Sequence, residues 1–193
     1  GCDKNLADSE EMLGLLTGNG HEIVDSEEEA DAIVINTCCF IHDAKEESVN
    51  TILEMAEYKK TGTCKILIVT GCMAQRYKEE ITEEIPEVDA VLGTTSYGDI
   101  VKALNEAEAG HVFREFKDIN ALPEDSGRRV ITTGGHFGYL KIAEGCDKHC
   151  TYCIIPSLRG KFRSVPEERL LKQAEYMASQ GVRELILVAQ ETT

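Results

Sequence analysis

The chain has no apolar run long enough to cross a membrane, and it carries no secretory leader pattern of basic, apolar and small residues. These absences argue against reading its eight cysteines as the disulfide framework of an exported scaffold. A reducing, cytoplasmic setting is expected. Basic residues are scarce where the chain is most charged. Residues 1–97 hold 7 Lys and Arg against 21 Asp and Glu, residues 98–134 hold 5 against 7, and residues 135–193 hold 8 against 7. An acidic surface repels nucleic-acid phosphates and attracts a basic partner, although it also serves plain solubility. The last shortage is local. Glu-Gly-Cys-Asp-Lys-His-Cys-Thr-Tyr-Cys places Cys146, Cys150 and Cys153 at C-x3-C-x2-C spacing, one ligand short of a closed metal site.

Apolar periodicity organises the first 107 residues as an α/β fold. Asp8, Ser9 and Glu10 open an amphipathic segment bearing Met12, Leu13, Leu15 and Leu16, which Gly18 and Gly20 end. Strands are expected at 31–36, 65–70 and 88–92, and helices at 44–60, 75–84 and 97–106. Strands that are apolar throughout and alternate with helices predict a parallel, Rossmann-like sheet covered on its faces. Residues 108–134 break the rhythm with mixed charge, Pro123 and Gly127, and read as a linker. A second βα unit, residues 135–193, begins with a strand at 137–143. It continues through the cysteine loop and a helix near 166–180 to a strand at 184–189. One βαβ unit cannot bury both faces of its sheet, so it reads as the start of a (β/α) barrel. The whole sequence reads as an internal fragment of a longer protein.

Parallel α/β sheets bind ligands beyond the carboxyl ends of their strands. Cys38 follows the first expected strand and Cys72 the second, while Cys2 precedes the first helix, where a preceding strand would end. These three fall on one sheet edge and can converge as a second three-thiolate set. Single cysteines in such domains are more often small buried hydrophobes. Cys64 precedes its strand and belongs to the opposite edge, whereas Cys39 stays open beside Cys38 as the ligand.

For the triplet, zinc would need His149 as a fourth ligand within a very short loop, a strained tetrahedral arrangement. Three thiolates instead suit a [4Fe–4S] cluster with one open iron, at the catalytic end of a barrel strand. Such an iron can chelate the amino and carboxylate groups of S-adenosylmethionine and feed radical chemistry.

C-x3-C-x2-C with an aromatic before the last cysteine resembles the radical-SAM superfamily. Further motifs are Gly1-Cys-Asp-Lys-Asn-Leu with Asp8-Ser-Glu, Asn36-Thr-Cys, Thr70-Gly-Cys-Met-Ala-Gln-Arg76 and Ile154-Ile-Pro-Ser-Leu-Arg-Gly-Lys-Phe-Arg-Ser164. Together they resemble the methylthiotransferase family, and its ribosomal-protein branch in particular. The resemblance implies two [4Fe–4S] clusters, a radical-generating one on Cys146, Cys150 and Cys153 and an auxiliary, sulfur-delivering one on Cys2, Cys38 and Cys72. It implies S-adenosylmethionine as cofactor, with Tyr152 along the adenine, and Arg159, Lys161 or Arg163 on a carboxylate of SAM or substrate unless they form a solvated basic turn. The implied reaction adds a methylthio group to the β-carbon of an aspartate in small-subunit ribosomal protein S-twelve. The implied partners are that protein or the small ribosomal subunit, and an electron donor such as flavodoxin or ferredoxin. A tRNA adenosine methylthiotransferase of the same family is the nearest alternative, and a non-catalytic iron–sulfur carrier or zinc module is the alternative of another class. Two positions depart from the family pattern: Cys39 stands where glycine is expected and Val165 where arginine is. The remaining barrel and the carboxyl-terminal TRAM domain of the family are not within these residues, so the chain by itself is expected to be inactive.

Overall fold

A computed structural model describes residues 1–124 and 126–192. The first unit holds α1 (Asp3–Gly18), β1 (Ala32–Thr37), α2 (His42–Thr61), β2 (Ile66–Gly71), α3 (Cys72–Arg76), α4 (Lys78–Glu84), β3 (Ala90–Leu92), α5 (Ile100–Glu108) and β4 (Phe113–Glu115). The four strands form one parallel sheet in the order β1-β2-β3-β4. The three expected strands and the parallel class are all present. β4 lies inside the stretch read as a linker. Its three residues, Phe-Arg-Glu, form no apolar run, and pairing of Phe113 with Ala90 is what makes them a strand.

β2 lies between two neighbours and is buried along all six residues. Alternate side chains leave a strand on opposite faces, which divides the core in two. Leu67 and Val69 pack with Ile52 and Ala56 of α2 and Ile81 of α4. Ile66 and Ile68 pack with Met12 of α1 and with Ile100, Ala103 and Leu104 of α5. Each fully buried side chain of this size contributes about 1.5–3 kcal/mol.

α1 departs from the expected helix. It begins at Asp3, after extended Cys2, so Asp8, Ser9 and Glu10 lie within the helix rather than at its start. It buries Asn5, Asp8, Glu10 and Glu11 as well as Met12. The reason is its position, since α1 packs on the sheet and also against the first strand of the second unit.

That second unit holds β5 (Phe137–Lys141), β6 (Ala143–Glu144), α6 (Ile155–Arg159), β7 (Arg163–Ser164), α7 (Glu167–Ser179) and β8 (Glu184–Val188). β5 pairs parallel with β8 across α7, which is the βαβ unit expected. The strand read as 137–143 is shorter than that. Past Lys141 the chain turns off, and β6 pairs antiparallel with β7. The two units interlock: Leu158 of α6 lies in the core of the first sheet, and the Thr94 hydroxyl donates to its carbonyl at 2.8 Å. No helix among the described residues is long and apolar enough to cross a membrane.

Candidate metal centres

Cys38 and Cys72 sit just beyond the carboxyl ends of β1 and β2, which run in register from Ala32↔Ile66 to Thr37↔Gly71. Gly71 makes this close approach possible. Its φ is +93°, and a Cβ there would collide with the Asn36 side chain and the Thr37 carbonyl. Ser48 pins the Cys38 backbone, accepting its N–H at 3.0 Å and donating to its carbonyl at 2.8 Å. Cys2 is brought to the same edge by α1. The Cys2 thiol donates to Asn5 Oδ1 at 3.4 Å, and Asn5 Nδ2 donates to the Thr37 carbonyl at 2.9 Å and to Asn36 Oδ1 at 3.2 Å. Asn36 answers with Nδ2 to the Asn5 carbonyl at 2.8 Å and to the Ser9 hydroxyl at 3.0 Å. A paired Asn–Asn clasp thus ties the start of α1 to the end of β1.

Burial pushes the Cys72 thiol up, Arg159 pulls it down, and Cys38 and Cys2 push it up again, because all three thiols share one neighbourhood. Cys39 points into the apolar core with Ile52 and Met73, and burial, then Cys72, raises its thiol to about 11. A thiol held that firmly protonated among apolar side chains is a poorer ligand than half-buried Cys38. Cys64 is buried before β2, at the other edge.

The triplet lies in the irregular loop between β6 and α6. Cys146 is buried, Cys153 half-buried and Cys150 exposed. Gly145 and Gly160 clamp the loop's two ends. Both have positive φ, and Cys146 N donates to the Gly160 carbonyl at 3.1 Å. A Cβ on Gly145 would strike the Lys161 and Gly160 carbonyls. Lys148 N donates to Cys146 Sγ at 3.4 Å. Tyr152 is 88% exposed and free to stack on a planar group, and His149 is exposed as well. Among the described residues, no three His, Cys, Asp or Glu side chains are grouped tightly enough to hold a metal ion as they stand. Each set nonetheless offers three sulfur donors, the donor chemistry of an iron–sulfur cluster rather than of a hard cation; Asp147, inside the triplet loop, accepts from Phe162 N at 3.0 Å.

Arg159 is only 3% exposed, so the structure does not leave it facing an open cofactor pocket. Its Nη1 meets Asp8 Oδ2 at 3.0 Å and Glu144 Oε2 at 3.6 Å, its Nη2 donates to Asn5 Oδ1 at 2.9 Å, and the guanidinium also reaches the Cys72 thiol. Lys141 completes the group, pairing with Asp8 and, at 2.6 Å, with Glu144. Burial works against the Lys141 charge, yet Asp8 and Glu144 outweigh it and hold the ammonium well above the ordinary lysine range. Burial also works against the Glu144 carboxylate, and Lys141 and Arg159 win there too. Lys161 lies at the surface side of the turn, while Arg163 donates through Nη1 and Nη2 to the Arg159 carbonyl, both at 3.1 Å. Sequence reasoning placed Asp8 at the start of a helix and gave Asn5, Asp8, Lys141 and Glu144 no part in either site. One sign was available, a lysine inside the otherwise apolar run 137–143.

The class follows from known families. Residues 1–93 match the uncharacterized protein family UPF0004, and residues 140–193 match the Radical SAM superfamily. Sheet and first thiol set thus fall in one matched region, and the C-x3-C-x2-C loop falls in the other. Relatives narrow the class. The whole chain aligns at 64% identity with "Ribosomal protein uS12 methylthiotransferase RimO" of Lachnoclostridium phytofermentans. It aligns at 51% with the protein of that name from Clostridioides difficile, and at 50% with that from Acetivibrio thermocellus. It spans 44% of the length of each. The chain is a radical-SAM methylthiotransferase homologue of the RimO type over the part of those proteins that it covers.

Proposed function

We propose that this chain supplies the two cluster-binding sites of an enzyme that methylthiolates the β-carbon of an aspartate in ribosomal protein uS12. One observation carries the reading: two separate three-thiol sets stand in one interlocked fold, with Cys72 within electrostatic reach of Cys38 and Cys2. The matching name of the relatives supports the same substrate.

In this reading Cys146, Cys150 and Cys153 hold the radical-generating [4Fe–4S] cluster, and Cys2, Cys38 and Cys72 the auxiliary one. When bound, a three-thiolate cluster supplies one electron and an open iron to S-adenosylmethionine. The protein's own part is to orient. Gly145 and Gly160 hold the triplet loop, the Asn5–Asn36 clasp holds the first set, and exposed Tyr152 would stack on the adenine of bound S-adenosylmethionine. The net acidity of residues 1–97 suits a basic ribosomal protein better than tRNA. The protein works in the cytoplasm, where flavodoxin or ferredoxin provides the electron.

The test uses these residues within a chain of the relatives' full length, reconstituted anaerobically. Two clusters should bind. Replacing Cys146, Cys150 and Cys153 with Ala removes one, and replacing Cys2, Cys38 and Cys72 removes the other; unchanged iron after the second replacement sinks the two-cluster reading. Incubation with SAM, a reductant and ribosomes, followed by mass spectrometry of protein and tRNA, should show a methylthio group on uS12. A gain on tRNA alone overturns the substrate assignment.

A further inference from the structure

Arg159 belongs to the second unit yet ends on the first. It closes the short helix α6, whose start lies two residues beyond Cys153 of the triplet. From there its guanidinium crosses to three groups of the first unit: Asp8, Asn5 and Cys72. Asn5 is itself the acceptor for the Cys2 thiol and a donor to the carbonyl of Thr37, the residue before Cys38. One side chain therefore lies within electrostatic reach of one thiol of the first set, meets a second through Asn5, and is covalently tied to the loop that carries the other set. The packing around it is firm. Leu158, its neighbour, is 3% exposed in the first unit's core, and Asp8, Glu144 and Lys141 surround the guanidinium out of solvent.

We propose that Arg159 is a positioning residue that locks the two cysteine sets in fixed relation and sets the electrostatic environment of the Cys2/Cys38/Cys72 site through its charge. The inference rests on the reading that those three cysteines hold a cluster. A cation near an iron–sulfur cluster favours its reduced, more negative form, and a hydrogen bond to a ligating sulfur acts in the same direction. Asp8 partly neutralises that cation. Removing Arg159 and removing Asp8 must then move the potential in opposite directions, whereas a residue that only stabilised the fold would move it in neither.

The experiment is a redox titration, followed by electron paramagnetic resonance, in the full-length Cys146→Ala/Cys150→Ala/Cys153→Ala background, which isolates the auxiliary site. That parent must load one cluster; failure to do so refutes the proposed function itself. With a loaded parent, Arg159→Gln should shift the midpoint potential to a more negative value and Asp8→Asn to a more positive one, and Arg159→Lys should recover most of the first shift. Should Arg159→Gln not fold, Asp8→Asn still decides the sign. An unshifted potential in loaded Arg159→Gln or Asp8→Asn, or shifts of the same sign for the two, overturns the assignment and leaves the cluster reading intact.

Discussion

Glu10 is fully buried in the middle of α1, and its carboxylate is saturated with donors. Arg129 Nε reaches Oε2 at 2.7 Å and Arg129 Nη2 reaches it at 2.5 Å, while Thr132 N and Thr132 Oγ1 reach Oε1 at 2.7 and 2.8 Å. Arg129 Nη1 passes on to the Tyr139 carbonyl of β5 at 2.7 Å. The pair thus fastens α1 to the segment entering the second unit. Glu10→Gln keeps the volume but removes the charge and turns one acceptor into a donor facing Arg129. Breaking a buried pair from one side costs about 3–5 kcal/mol, because the surviving charge stays desolvated. Arg129→Met should cost a similar amount and also orphans the Tyr139 carbonyl. In Glu10→Gln/Arg129→Met no charge is stranded, and what remains is mainly the lost partner of the Tyr139 carbonyl, about 1–3 kcal/mol. The double variant should therefore be less destabilised than the two single losses added, with a coupling of at least about 2 kcal/mol. Since the chain has no tryptophan, urea unfolding is best followed by far-ultraviolet circular dichroism. With a slope of about 2 kcal/mol/M, a single variant's midpoint falls by about 1.5–2.5 M. Singles that cost under about 1 kcal/mol, or strictly additive losses, would refute the claim that this pair joins the units.

Two further outcomes are expected. Gly71→Ala should lower the melting temperature far more than Gly20→Ala. Both have positive φ, which alone costs about 1 kcal/mol, but only Gly71 is crowded, by Asn36 and Thr37; equal losses would show that the approach of β1 and β2 does not depend on Gly71. Burial raises the Glu11 carboxyl above its ordinary range against the pull of Lys141, while Tyr97 donates to Glu11 at 3.0 Å. The folded state therefore keeps a proton that the unfolded chain releases, and this group's contribution to stability falls as pH rises above about 4.3. In Glu11→Gln that penalty is gone, so the variant's melting temperature should gain on the wild type from pH 4 to pH 8; a constant difference across that range rules out the assignment.

The three central strands were legible because each is a short β-branched or apolar run, and a strand buried on both faces leaves that mark whatever surrounds it. β4 carries no such mark. Phe113–Glu115 is a strand only because β3 offers it an edge. The cysteine triplet was legible from spacing, since three cysteines within eight residues need no folding to be neighbours. Cys2, Cys38 and Cys72 were placed on one edge by strand order, a rule that holds for parallel sheets in general. That Cys39 turns into the apolar core while Cys38 stays half-buried took the structure, because adjacent residues differ only in which way each side chain faces. For Arg159 the sequence suggested a ligand contact, on the general habit of arginines after a cofactor loop, and the structure turned it inward.

Composition, period and spacing are local properties, and by themselves they determined that this chain is a parallel α/β sheet followed by a βαβ start, carrying two sets of three cysteines. Only the tertiary structure decided that Asp8, Glu10 and Glu11 are buried, where their acidity had suggested surface, that Lys141 and Arg159 meet Asp8 there, and that Arg129 meets Glu10. Charge is encoded residue by residue, but the partner that makes its burial tolerable lies more than 100 residues away. No window of sequence holds both halves of such a pair.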